Sequence, residues 1–535
     1  MKKTAAVLLI LLMGGAAYFA ISKSRHTPDN REPVIAPAAD AVSLSQLEKM
    51  GLDCELNDDN FTAKVYVSSK AVTSVTIPSQ IKNKGKFYNV TVIDGYAFSE
   101  CESLTSVTIP SSVTVIGVGA FSNCRNLKSI QLPPTLHTIN YETFRKSGIT
   151  SIDIPASVSV IENNAFDDCM SLTAINVAKE NKNYASIYGV LYSKNCKTLI
   201  RYPQARKGDF SIPECVNSLE ESSFSNCEGL TAVSCPRSIK KISDNTFFNC
   251  KALKAVNLSD GIESLGEHSF GQCDNLREIT IPASVRDIPG SAFLFCDNIS
   301  KFIVDPANAN YTSIDGVIYT KQIKTLVKCP DKRSGTFNIP QSVTEIGDFA
   351  FCNCKELVSI KIPSSVESIG SFAFQFCEFK NIELPEGVKK IGGMAFRKCV
   401  NLVSIDIPDT LNEISFELFD GCESLTHIKI PEGVRDIGPF AFSDCTALKT
   451  VSLPFGLKEI GTYAFQGCKA LSVINCYAVD PPECEGDEVD IERAPNYVNF
   501  GTSPEKCVLH VPKGTTSRYR SSKGWDQFRR IVDNL

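Results

Sequence analysis

Tryptophan occurs once in the 535 residues, and methionine and histidine occur five times each. The histidines, His26, His137, His268, His427 and His510, are scattered along the chain. There is no H-E-x-x-H, no G-x-S-x-G and no phosphate-binding loop. Without a local cluster of acid, base and nucleophile an enzyme is not expected, and no catalytic residue is assigned. Close ligand pairs of the C-x-x-C kind are also missing. The nearest is Cys352–Asn353–Cys354, so neither a metal nor a cofactor is expected. Lys and Arg number 55 against 60 Asp and Glu, well mixed, for a net charge of −5. A basic footprint for nucleic acid is therefore absent. One apolar run stands out, at the start: "MKKTAAVLLILLMGGAAYFAISKS". Two lysines followed by apolar and small residues mark an export segment. Residues 1–22 read either as a signal peptide, cut after Ser22, or as an N-terminal membrane anchor. Any membrane contact would come through that anchor alone. No Cys ends the run to carry a lipid. The stretch 23–52, containing "HTPDNREPVIAPAADA", reads as a flexible linker. The expected location is outside the cytoplasm: cell surface, periplasm or secreted.

What the chain does have is repetition. A phenylalanine recurs at Phe98, Phe121, Phe144 and Phe166, at Phe224, Phe247, Phe270 and Phe293, and from Phe351 through Phe374, Phe396, Phe419 and Phe442 to Phe465. The steps are 22 or 23 residues, apart from two of 58. Five residues before each Phe stands Ile or Leu, and three after it stands Cys in thirteen of fourteen units, the exception being Ser147. A unit this short cannot bury its apolar residues alone; stacked units bury each other's. Segments such as "LTSVTIP" (104–110) and "LVSIDIP" (402–408) alternate at period two and predict one short parallel strand per coil, closed by proline.

The copies of "IPSSVTVIGVGAFSNCRNLKSI" (109–130) carry a resemblance to the BspA-like bacterial leucine-rich repeat surface proteins. So do "ANYTSIDGVIYTKQIKTLVKCP" (309–330) and "VLHVPKGTTSRYRSSKGWDQFRRIV" (508–532). The resemblance covers about residues 60 to 535. It implies a β-rich solenoid, a leucine-rich repeat stack of coils of about 23 residues with short parallel strands, in an exported interaction protein. It implies no particular ligand.

The expected layout is an N-terminal cap over 53–92, the solenoid over 93–477 with enlarged repeats near 178–213 and 305–340, and a C-terminal cap over 478–535. Each enlarged repeat holds 35 extra residues, read as a β-hairpin that leaves the stack and returns to it. On that reading, removing 306–340 would leave a plain coil. Its role is open: decoration, brace or recognition element. In the C-terminal cap, Tyr519, Trp525, Phe528 and Ile531 are expected to seal the last coil. Between them and the solenoid, "DPPECEGDEVDIERAPNYVNFGTSP" reads as an acidic exposed loop.

The repeat cysteines are expected to be a column of buried, reduced thiols bonding weakly to backbone. Cys484 and Cys507 share the C-terminal segment, and whether they pair is left open. Outward strand positions are mostly small and polar, as at Ser106, Thr108, Ser129, Gln131, Ala174, Asn176, Ala232, Ser234 and Asn257. Asp153, Glu383 and Asp406 are the acids there, with Lys361 and Lys429 flanking the last two. Glu383 and Asp406 are one coil apart, but a flat strand face gives a carboxylate pair no cleft to work in. An aromatic stripe for stacking sugars is missing from that face. The expected function is a protein-protein interaction or adhesion scaffold for a host matrix or envelope protein, with the binding residues unassigned. The alternatives are a secreted structural or host-directed factor and, further off, a hydrolase on a repeat scaffold.

Overall fold

The computed structural model describes residues 38–484, 500, 504 and 506–535. The export or anchor segment and most of the acidic loop lie outside the described residues. Among those described, no helix is long and apolar enough to cross a membrane.

The chain is a β-solenoid, and each coil contributes to two parallel ladders. In the coil of Phe121 the main strand, Ser106–Thr108, pairs with Ser74–Thr76, with Val107 inward and its neighbours outward. A second, shorter ladder, the corner ladder, runs after the main strand, where the sequence predicted one strand per coil. Val115–Ile116 pairs in parallel with Val92 and Ile93 of the coil before it, and Ile116 pairs with Ile139 of the coil after.

The side between these ladders has a third row of coil-to-coil bonds with no strand in it. The N–H groups of Gly119, Phe121 and Asn123 reach the carbonyls of Tyr141, Thr143 and Arg145 at 3.0, 2.9 and 2.8 Å. Here the chain turns its N–H groups to one side by alternating conformation. Gly119 and Asn123, two before and two after the Phe, both have φ of 60°. The same two positions are left-handed in nearly every coil. The coil of Phe293 departs at the first of them, where Gly290–Phe293 is a short 3-10 helix.

The Phe side chains fill the interior. Phe247, Phe270 and Phe293 stack at 5.4 Å between ring centres, and all are fully buried. Each such ring contributes roughly 1.5–3 kcal/mol by burial. The thiol three residues on has a defined job. Sγ of Cys124, Cys169, Cys250, Cys273, Cys296, Cys377, Cys399, Cys422, Cys445 and Cys468 donates to the carbonyl of the Phe one coil earlier, at 2.9 to 3.2 Å. Burial pushes the Cys124 and Cys169 thiols up to about 12. Cys484 and Cys507 are both free. A disulfide joins Cys196 to Cys215, two residues outside the repeat pattern.

Two expectations are corrected. The linker assigned to 23–52 ends earlier. Val42–Ser43 is a strand and Leu44–Lys49 a helix, held by a capping box between Ser43 and Gln46 and by burial of Leu47. These belong with the cap: Val42 and Ser43 pair with Ile81 and Lys82. The enlarged repeats are not simple hairpins beside the stack. Each is a three-stranded meander: Tyr184–Ile187, Val190–Ser193 and Thr198–Arg201 in the first, Tyr311–Ile314, Val317–Thr320 and Thr325–Lys328 in the second. The third strand rejoins the corner ladder, with Leu199 opposite Leu219 and Leu326 opposite Ile346. Gly208–Ser211 and Gly335–Asn338 then supply main-ladder strands. The insert is a hairpin plus a shortened coil.

It is also part of the core. The apolar interior falls into three clusters, and the middle strand of each meander is the wall between two of them. Leu191 packs with the first cluster, while Val190 and Tyr192 pack with the second. Ile318 packs with the second, and Val317 and Tyr319 with the third. The same residue types lash both copies down. Asn181 Nδ2 donates to the carbonyls of Pro155 and Val158, and Asn308 Nδ2 to those of Pro282 and Val285. The hydroxyls of Tyr184 and Tyr311 accept from the N–H of Ile161 and Ile288.

At each break the third row of bonds is completed partly by side chains. Tyr202 N–H reaches Ser223 O at 2.8 Å, Arg201 Nη1 reaches Ser222 O at 2.8 Å, and Gln204 Nε2 reaches Ser225 O at 2.9 Å. In the second insert Cys329 N–H reaches Ala350 O at 2.7 Å, and Lys328 Nζ alone serves Phe349 O and Cys352 O at 3.3 and 3.2 Å. Lys328 is fully buried, and Asp331 lies 3.1 Å away. Burial pulls its pKa down most strongly, but the Asp331 carboxylate and the neighbouring Cys354 and Cys352 together outweigh that and raise it, so the ammonium stays charged.

The C-terminal end is sealed by aromatics. Phe500 continues the Phe465 stack at 5.6 Å, and Trp525, fully buried, donates Nε1–H to Pro482 O at 2.8 Å.

Two outcomes are expected. Alkylation of the native protein at pH 8 should label no thiol beyond the half-buried Cys54 and Cys484, and denaturation without reductant should raise the count to 20, the number of free cysteines. Mass spectrometry reads both numbers; rapid native labelling of Cys250, Cys273 or Cys296 would contradict the thiol ladder. Deleting 306–340 should lower the melting temperature and increase dye binding to apolar surface, since it removes the buried Val317, Ile318, Tyr319 and Leu326 together with the Lys328 cap. An unchanged melt would show that the insert is dispensable.

Candidate functional site

The outward strand face was the expected contact surface. Ser106, Ser129, Gln131, Asp153 and Asn176 come together there in one shallow open groove of about 700 Å³. Its polar groups largely satisfy one another along the stack. Ser74 and Ser106 hydroxyls are 2.9 Å apart, and Asn176 Nδ2 donates to Asp153 Oδ1 at 2.9 Å. Glu383 and Asp406 stand opposite each other in neighbouring main strands, both exposed. His137, His427 and His510 bond to Ser157, Thr426 and Asn534, each in its own coil.

A different surface carries a row of partly exposed aromatics. The position two residues before the column Phe is left-handed, with its backbone held by the third row of bonds. In the middle stack it is filled by Ser222, Asn245 and His268, while Ser291 of the fourth coil lies in the 3-10 turn instead. In the last stack it is filled by Phe349, Phe372, Met394, Phe440 and Tyr463, all with φ between 55° and 60°. Glu417 takes the place in one coil, with Phe416 beside it.

These side chains form a ridge of two ring groups, separated by the buried Met394. The rings of Phe349 and Phe372 stack at 4.5 Å, Phe416 meets Phe440 edge-on at 6.3 Å, and Phe440 lies 5.2 Å from Tyr463. Phe416 is 39% exposed; Phe349, Phe372, Phe440 and Tyr463 are half-buried, and Met394 is buried. A bulky residue in the left-handed region is strained by roughly 1–2 kcal/mol where Asn or Gly is comfortable. The fold does not need aromatics here, because the middle stack makes the same turn with Ser, Asn and His.

Sequence reasoning missed this ridge because it searched the strand positions for aromatic stripes. The signal was present one register over, in "DFAF", "SFAF", "GMAF", "PFAF" and "TYAF".

The BspA type leucine rich repeat region matches the chain in six copies, over residues 91–200, 202–323, 331–414 and 369–479. A search of the curated proteins gave no match. Among solved structures, a leucine rich cell surface protein from Faecalibacterium prausnitzii is 26% identical with a TM-score of 0.41, over 82% of this chain and 94% of that one. The pneumococcal vaccine antigen PcpA is 17% identical with a TM-score of 0.44, over 90% and 99%. A leucine-rich repeat protein from Bacteroides ovatus is 22% identical with a TM-score of 0.32, over 86% and 98%. The family match covers most of all three stacks and of both inserts, and the chain belongs to the BspA-type leucine-rich repeat family.

Proposed function

We propose that the protein is an exported, cell-surface or envelope-associated scaffold that binds a protein partner, a host matrix or envelope protein, through the aromatic ridge of its last stack. The export part rests on the lysine-led apolar run at the N-terminus and on the family's repeat architecture. The binding part rests on one observation: aromatic side chains occupy strained left-handed positions that the same chain fills with small or polar residues one stack earlier. Strain that the fold does not require is kept where function uses it. Partly exposed, adjacent rings suit a protein surface better than a sugar, because Phe349 and Phe372 use their faces on each other and leave mainly edges outward.

The ridge can be removed without harming the turn. Phe372→Asn, Phe440→Asn and Tyr463→Asn together install the residue type found at Asn245. The expected outcome is an unchanged or higher melting temperature with loss of binding to immobilised matrix proteins or to the producing cell's envelope proteins. A lower melting temperature with binding intact would show that the ridge only packs the stack.

A further inference from the structure

The first insert leaves a cleft that the second insert does not. Its volume is about 480 Å³. One wall is Tyr141, Ile161 and Glu162; the opposite wall is Glu220 and Glu221; Tyr184 and Arg201 also line it. In the second insert every position shifts by 127, and the walls are in contact. Gly290 stands where Asn163 is, so close to Asp348 that a Cβ would come within 1.9 Å of the Asp348 carbonyl oxygen. Pro289 replaces Glu162, Gly347 replaces Glu220, and the buried Leu294 replaces Asp167. One phrase of sequence is thus written once with a closed joint and once with an open, acidic one.

Some carboxylates elsewhere pair with a cation one coil away: Glu228 with Lys251 at 2.7 Å, Glu278 with Lys301 at 2.8 Å, Glu367 with Lys389 at 2.9 Å. Among the described residues Glu162, Glu220 and Glu221 form no ion pair, although Glu162 Oε2 accepts from the N–H of Tyr141 and Glu221 Oε1 from Asn245 Nδ2. The floor is Arg201, 7% exposed, with Nη2 2.7 Å from Asp167 Oδ1. The two touch as charges but are not aligned as a hydrogen bond, and Arg201 Nε is also without a partner. Among the described residues, five of the nine buried polar atoms lacking a hydrogen bond sit near this joint: Asp167 Oδ1 and Arg201 Nη2 of the ion pair, Arg201 Nε, and, outside the cleft lining, Gln204 Oε1 and Ser223 Oγ. With Arg201 neutralised by Asp167, the three wall glutamates leave the site net negative. Tyr141, 41% exposed, and Ile161 offer apolar surface for methylenes.

We propose that this cleft receives a lysine or arginine side chain of a protein partner, its methylenes against Tyr141 and Ile161 and its charged head between Glu162 and the Glu220–Glu221 pair. The proposal rests on the reading of the chain as a protein-binding scaffold and adds to it a basic anchor residue, read at a site separate from the ridge.

Saturation-transfer NMR with acetyl-Gly-Lys-Gly-amide and acetyl-Gly-Arg-Gly-amide tests it, with acetyl-Gly-Glu-Gly-amide as the control peptide. The expected result is transfer to the basic side-chain methylenes and none to the acidic peptide. Glu220→Gln with Glu221→Gln should weaken the signal at least fivefold at an unchanged melting temperature. Glu263→Gln with Glu278→Gln removes the same charge elsewhere and should leave it unaltered, as should the triple asparagine variant of the ridge. Absence of transfer, or equal loss in both glutamine pairs, would overturn the proposal and leave only diffuse attraction to an acidic surface. Peptide binding that survives in the ridge variant while partner capture is also unaffected would sink the ridge reading and not this one.

Discussion

Everything in this solenoid depends on satisfying backbone hydrogen bonds along the stacking axis on all sides of the coil. Two sides do it with ordinary parallel strands. The third alternates left-handed residues around the Phe, so that Gly119, Phe121 and Asn123 point their N–H groups the same way. The Phe can then face inward, and its carbonyl accepts both the N–H of the Cys three residues on and the thiol of the next coil. The Cys is therefore placed as a small buried donor, which alanine could not replace and serine would replace with a more strongly solvated hydroxyl. Where the row is broken by an insert, Arg201, Gln204 and Lys328 stand in for missing N–H groups. An orphaned carbonyl in a buried joint costs more than ordering one long side chain to reach it.

Much of this was legible beforehand, for a physical reason. The Phe, the Ile five residues before it and the Cys three after it are repeated because each coil must match the next, so stacking prints itself on the sequence as a period. The strand alternation, the enlarged repeats and the Trp525 seal followed from the same logic. What could not be read were relations between positions that break the period. Cys196 and Cys215 lie in different parts of an insert, and nothing in their spacing of 19 brings them together. The second copy has Ile323 and Ser342 there. The helix Leu44–Lys49 was hidden by its Pro- and Ala-rich neighbourhood, although Ser43 and Gln46 spell its capping box.

The two inserts show how one local sequence can be tuned for different ends. Their anchors are the same, Asn181 and Asn308, Tyr184 and Tyr311, while the residues at the joint differ. Reading only the repeated phrase suggested modular hairpins, because a hairpin signal says nothing about which core its strands enter. Only the placement of Leu191 against one cluster and Tyr192 against the next shows the meander as a wall. The ridge and the cleft are matching cases. In each, a position whose backbone is settled by the stack carries a side chain the stack does not ask for.

The walls also bear on how the molecule comes apart. Coils in a stack hold only their neighbours, so opening that begins at an end can travel coil by coil. At a meander it meets a strand packed on both faces, with Val190 and Tyr192 on one side and Leu191 on the other. Such a strand remains clamped by the far cluster after the near one has loosened. The long array therefore behaves as three compartments with two bulkheads: damage at one cap is contained within its own compartment, and the ridge at the far end keeps its shape.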